Sequence, residues 1–229
     1  YNGLKFYDSK ENKISRKLEK KIESIIFNKK KYNEISNLDH ESGKAVRLED
    51  AKDRYLKYLK STLDKKINLK KIKIVLDCGN GATYKLGPKI FRDLGFKVIC
   101  INNHPDGRNI NKNCGAVDTS SLSKKILEVK ADIGFAFDGD GDRLIAVDEK
   151  GNQIDGDKII ALFSKYYLIS NQLKKKTVVT TVMSNLGLEN YLKQQLGVKL
   201  IRTRVGDINV ITEMQKKSYM LGGEQSGHI

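Results

Sequence analysis

The chain reads as an α/β protein, with consecutive three-layer α/β/α domains built on mixed, mainly parallel sheets. Short apolar runs alternate with longer amphipathic stretches, the pattern of strands separated by covering helices. Glycine-rich turns follow several of those runs, where open α/β sheets place their ligands. At 229 residues the chain holds one large domain or two ordinary ones.

Taken in order, Leu4 to Tyr7 is a short run expected as a strand. Ile14 to Asn28 is expected as a helix, with Leu18, Ile22, Ile25 and Ile26 on one face. Residues 29–43 are polar and lack a period, so an irregular linker is expected there. Ala45 to Leu63 returns to helical spacing through Leu48, Ala51, Tyr55, Leu59 and Leu63. Next come strand Ile72 to Leu76, a glycine turn, helix Tyr84 to Leu94 and strand Val98 to Ile101. Helix Ser121 to Val129 leads into strand Ile133 to Phe137. Beyond an acidic loop, Leu144 to Val147 and Gln153 to Ile154 form a hairpin around Lys150-Gly-Asn152. A second series follows. It runs helix Lys158 to Leu168, strand Val178 to Val182, helix Leu186 to Leu196, strand Lys199 to Ile201, helix Ile208 to Lys216 and strand Tyr219 to Leu221. Two α/β units joined near Gly156 result, and no long-period repeat is legible.

The acidic loop carries the chemistry. Asp138, Asp140 and Asp142 alternate with Gly139 and Gly141 and are followed by Arg143. Carboxylates this close repel one another unless a cation offsets them. The glycines permit a turn tight enough for the acids to converge. Oxygen donors alone suit a hard cation, and Mg²⁺ takes a few carboxylates together with phosphate oxygens. Arg143 adds a fixed fork that matches phosphate.

Three other readings compete. A solvated acidic turn is the plainest of them. An EF-hand spacing places Asp138, Asp140, Asp142 and Glu149 at positions 1, 3, 5 and 12, but Arg143 occupies position 6, where that loop needs glycine. An aspartyl nucleophile of the haloacid-dehalogenase type would use Asp138 and Asp140 but leaves Asp142 and Arg143 without a role. Magnesium with phosphate accounts for all four residues.

A second loop, Gly222-Gly-Glu-Gln-Ser-Gly-His228, follows an apolar run. In an extended loop Glu224 and Ser226 would project the same way and offer acceptor and donor to vicinal hydroxyls. His228 supplies a group that binds phosphate or moves protons. Two further turns are weaker signals. Asp77-Cys-Gly-Asn-Gly-Ala82 lacks the third glycine of a dinucleotide fingerprint and reads as a tight structural turn. Pro105 to Asn111 reads as a surface connection.

Composition narrows the classes. The net charge is +15, yet eight of the 43 basic residues are arginine and the lysines are spread through nearly every segment. A nucleic-acid binder clusters arginines among aromatics, so a lysine-rich surface that attracts a phosphorylated small molecule fits better. No long apolar run offers a membrane span. Cys78, Cys100 and Cys114, an odd number without Cys-x-x-Cys spacing, argue against a disulfide scaffold or zinc site and fit a reducing cytoplasm.

Together these motifs resemble the α-D-phosphohexomutase superfamily. Asp138-Gly-Asp-Gly-Asp-Arg143 is similar to its metal-binding loop and Gly223-Glu-Gln-Ser-Gly-His228 to its sugar-binding loop. Thr181 to Gly187 and Val205-Gly-Asp207 are most similar to its glucosamine-phosphate branch, and Tyr1 to Lys5 and Ala131 to Gly134 extend the likeness. The resemblance implies a phosphoserine that passes its phosphoryl group to a hexosamine phosphate through a 1,6-bisphosphate. Mg²⁺ would sit on Asp138, Asp140 and Asp142 with Arg143 assisting. Glu224, Ser226 and His228 would hold the substrate, and Lys5 would aid proton transfer. Residues 1–43 would then be the end of a first domain plus linker, 44–155 a second domain with the metal loop, and 156–229 an incomplete third with the sugar loop. The family's Ser-His-Asn-Pro phosphoserine loop would precede Tyr1, so a fragment that is inactive alone is expected, the alternatives being a mannose- or glucose-phosphate branch of the same superfamily or a non-catalytic sugar-phosphate-binding module. Ile208 stands where the branch usually has arginine.

Overall fold

The computed structural model describes residues 5–10, 12–37, 44, 46–63, 69 and 71–229. The chain separates into two compact units, residues 1–48 and 49–229. In the first, Ser15 caps α1 (Arg16–Ile26) by accepting from Leu18 N, and Asn28 caps α2 (Lys29–Ser36) by accepting from Lys30 N and Lys31 N. The α2 helix corrects the expected linker. Its sequence has no apolar stripe and buries nothing, so only the Asn28 cap announces it. Residues 38–43 of that linker, Leu4 of the expected first strand and Ala45 of the expected second helix lie outside the described residues. Tyr7 forms only an isolated antiparallel bridge with Lys13.

The second unit opens with α3 (Ala51–Ser61), shorter than its apolar spacing suggested; Leu56 is its buried residue. Then β1 (Lys73–Asp77), α4 (Leu86–Asp93), β2 (Lys97–Ile101), α5 (Ser120–Val129), β3 (Ile133–Phe137), β4 (Leu144–Asp148) and β5 (Gln153–Ile154) follow. They build a sheet of order β2-β1-β3-β4-β5, parallel across β2, β1 and β3 and antiparallel beyond. The helix α6 (Gly156–Ile169) begins a second sheet system with β6 (Thr177–Thr181), α7 (Leu186–Leu196), β7 (Lys199–Thr203), α8 (Asp207–Lys217) and β8 (Leu221–Gly222). Its order is β7-β6-β8, all parallel.

Two separate cores hold these sheets. Val75, Leu122, Ile126, Ala131, Ala136 and Val147 form one, and Ile160, Val178, Leu188, Leu192, Val198 and Leu221 belong to the other. Interior parallel strands are covered on both faces, and β1 and β6 are buried along almost their whole length. A repeat absent from the sequence is present in the topology. In each sheet the first strand lies between the second and the third, with a glycine-rich loop leaving that third strand. Packing rules produce this arrangement without requiring residue identity between the halves.

Candidate metal and sugar-phosphate site

The acidic loop joins two strands of one antiparallel pair, with Phe137 opposite Leu144. Gly141 N donates to Asp138 O at 3.1 Å, and Arg143 N donates to Asp138 Oδ1 at 3.0 Å. The loop therefore folds back on its first acid, bringing ligand oxygens of Asp138, Asp140 and Asp142 within 4.8 Å of one another. Arg143 Nε lies 3.3 Å from Asp138 Oδ2 and 3.7 Å from Asp142 Oδ1. Burial pushes the Asp138 carboxyl above its ordinary range, and the charges of Asp142 and Asp140 push it the same way, against the Arg143 amide. A divalent cation would reverse that penalty, and the all-oxygen donor set suits Mg²⁺. The calcium alternative fails on distance: β4 carries Glu149 away by five residues of strand, about 16 Å.

The sugar-type loop is a closed turn, which corrects the extended loop expected there. Glu224 N donates to His228 O at 2.8 Å and Gly227 N to Glu224 O at 3.0 Å, so the turn satisfies its own backbone. Glu224 is half-buried and Ser226 is exposed. Gly206 N donates to the Glu224 carboxylate at 2.9 Å, which ties the Val205-Gly-Asp207 segment to the loop.

The two loops meet. Leu144 N, one residue beyond Arg143, donates to Gly227 O at 3.0 Å, and His228 Nδ1 lies 3.9 Å from Asp142 Oδ2. Gly227 has φ +91°, and a Cβ there would collide with the Leu144 carbonyl, so the approach needs glycine. On its other side the loop is held by Gly156 N, which donates to Gln225 O at 2.9 Å. A cavity of about 250 Å³ adjoins the loop, floored by Val210, Ile211 and Met214 and edged by Asp207, Glu224 and His228.

Family profiles match the chain over two stretches: phosphoglucomutase/phosphomannomutase alpha/beta/alpha domain II at residues 53–151, and domain III of the same family at 155–229. This chain belongs to the phosphoglucomutase/phosphomannomutase family. Phosphoglucosamine mutase of Thermodesulfovibrio yellowstonii is 50% identical over 228 residues, covering 100% of this chain and 50% of the relative. The enzyme of the same name from Nautilia profundicola is 48% identical, with 100% and 51% covered. The chain thus spans about half the length of the curated relatives it matches. A phosphoglucomutase/phosphomannomutase family protein from Burkholderia thailandensis superposes with TM-score 0.71 at 26% identity, over 86% of this chain and 43% of that one. Aspergillus fumigatus N-acetylphosphoglucosamine mutase, crystallised with GlcNAc-6P and magnesium, shares the fold at TM-score 0.53 and 22% identity, over 70% and 36%.

Of the residues singled out from the sequence, Asp138, Asp140, Asp142, Arg143, Glu224, Ser226 and His228 lie on the two touching loops. Lys5 is exposed in the separate unit of residues 1–48. Residues that seat the loops escaped notice. Ala82 N donates to Gly139 O at 2.8 Å, and Ile110 and Asn111 of the supposed surface connection press against Gly139. Asp157 is 2% exposed and accepts from Asn185 N at 2.8 Å. The glycine turn at 79–81 was a visible signal, but its partner lies far along the chain.

Proposed function

We propose that this chain is the metal- and sugar-binding half of a cytoplasmic phosphohexomutase that interconverts glucosamine 6-phosphate and glucosamine 1-phosphate through a phosphoserine and a 1,6-bisphosphate. One observation carries the reading: a three-carboxylate loop and a Glu-Gln-Ser-Gly-His loop, from different sheets, share a hydrogen bond and stand within 3.9 Å at His228 and Asp142. The relatives named phosphoglucosamine mutase, near half identical across all of this chain, support the glucosamine branch.

Asp138, Asp140 and Asp142 would hold Mg²⁺, which supplies charge neutralisation for a phosphoryl group in transfer. Arg143 stands at the exit of the same loop and offers its fork to phosphate oxygens. Glu224, fixed by the Gly206 amide, accepts from sugar hydroxyls, and exposed Ser226 both donates and accepts. His228, next to Asp142, contacts phosphate or holds a proton at Nδ1. Lys5 would serve proton transfer. Residues 44–155 serve as the metal-loop domain and 156–229 as the sugar-loop domain.

The complete protein, supplied with Mg²⁺, is assayed on glucosamine 6-phosphate and on mannose 6-phosphate. Preferential formation of glucosamine 1-phosphate is expected. Comparable turnover of mannose 6-phosphate removes the substrate assignment, and no turnover of either removes the activity.

A further inference from the structure

Asp77 ends β1 and is fully buried, and it is not one of the three acids whose ligand oxygens converge in the metal loop. Its Oδ1 accepts from Gly79 N at 2.9 Å. Its Oδ2 accepts from Gly115 N at 3.0 Å, Asn102 Nδ2 at 3.0 Å and Ser121 Oγ at 3.4 Å. A buried carboxylate is costly unless its acceptor sites are filled, and here four donors fill them. Those donors come from three separate connections: the turn after β1, the residue after β2, and the stretch from Gly115 into the first turn of α5.

The same connections form the bed of the metal loop. Ala82 N, at the end of the first turn, donates to Gly139 O at 2.8 Å, and a Cβ on Gly81 would fall inside the Gly139 backbone. Asn111 N donates to Gly79 O at 2.9 Å, and this places Ile110 and Asn111 beneath Gly139. A Cβ on Gly115 would meet the Phe137 carbonyl at 2.5 Å, immediately before Asp138. Of these supports under Phe137 to Gly139, Gly115 is bonded to the Asp77 carboxylate directly, and Ala82 and Asn111 are joined to it through the Gly79 turn.

We propose that Asp77 is the positioning residue for the metal loop: it fixes the bed on which Asp138, Asp140 and Asp142 converge, and so sets cation affinity without being a ligand. The inference rests on the metal-ligand reading of those three acids. Groups that orient ligands from outside the coordination sphere carry about 10- to 100-fold of metal affinity.

Calorimetric titration of the chain with Mg²⁺ tests it, at a temperature where circular dichroism shows each variant folded. Asp77→Asn is expected to weaken Mg²⁺ by about tenfold or more. Gly81→Ala, which keeps the four bonds to Asp77 but pushes directly on Gly139, is expected to weaken it as well. Val75→Ala, a neighbouring core truncation, is expected to lower stability and leave Mg²⁺ affinity at the parental value, which separates positioning from general destabilisation. Parental affinity in folded Asp77→Asn, beside a loss in Asp140→Asn, overturns the role of Asp77 alone. A parent chain that does not bind Mg²⁺ overturns it together with the metal reading. Should Asp77→Asn not fold, Asn102→Ala and Ser121→Ala decide: weakened binding in either supports the role, and parental affinity in both overturns it.

Discussion

Burial separates Asp138 from Asp140, its partner two residues on: Asp138 is 4% exposed, whereas Asp140 lies at the surface. Burial, then the charges of Asp142 and Asp140, raise its carboxyl above the ordinary value near 4. The native apo chain therefore binds this proton more tightly than the unfolded chain does. The resulting stabilisation is present at low pH and is lost as pH rises through the raised value. A cation at the loop competes with the proton, so its benefit runs the other way. We expect the rise in Tm produced by Mg²⁺ to grow as pH goes from about 4 to 7. A rise that stays flat or shrinks over that range, measured by scanning fluorimetry, counts against Asp138 as a ligand. The three acids were legible because their spacing is local. Asp77 was not, since its side-chain partners Asn102 and Ser121 lie 25 and 44 residues away and nothing in a linear reading brings them together.

Helices and strands were legible wherever one face is apolar, and their ends were set by caps the periodicity does not show. The helix α7 illustrates this. Its start at Leu186 was read from the sequence, but the structure adds that Asn185 caps it through Leu188 N at 2.9 Å while its own amide binds Asp157. Asn185→Ala removes the cap and is expected to cost about 1 kcal/mol, read as a lowered midpoint in urea unfolding. An unchanged midpoint would show that the Asp157 contact alone holds the turn. The helix α2 was missed for the converse reason, having a cap but no apolar face. The sugar-type loop was legible as a motif and misread in shape, because its internal hydrogen bonds depend on φ values that only Gly227 supplies. Gly227→Ala adds a Cβ against the Leu144 carbonyl at a φ of +91°, and strain of about 1–3 kcal/mol follows. Its expected signature is a lower Tm together with weaker binding of glucosamine 6-phosphate by calorimetry. Parental values for both would mean that the loop reaches the β4 strand without needing this glycine.

At the scale of the whole molecule, the alternation of strand and helix was enough to give the α/β class, but it did not show that the first three strands of both sheets share one order. The loops after β3 and β8 leave corresponding strands of the two sheets and touch, which brings the two sequence motifs side by side. Among the described residues no helix is long and apolar enough to cross a membrane. The remaining global feature is charge, +15 with lysines distributed over the surface and not gathered into an arginine-rich strip. A dispersed positive field acts on an anionic ligand over distances that salt screens, about 10 Å at 0.1 M, whereas hydrogen bonds from Glu224 or Ser226 to hydroxyls are short and scarcely screened. The field should therefore act on the phosphate and not on the sugar ring. We expect the affinity for glucosamine 6-phosphate to fall steadily as NaCl rises from about 0.02 to 0.3 M, and the much weaker affinity for glucosamine, which carries one positive amine and no phosphate, to hold level or rise slightly. Calorimetry of both ligands across the series separates the two contributions. A salt-independent constant for the phosphate ester would mean that Arg143 and its neighbours bind it wholly at contact range and that the lysine surface serves only solubility.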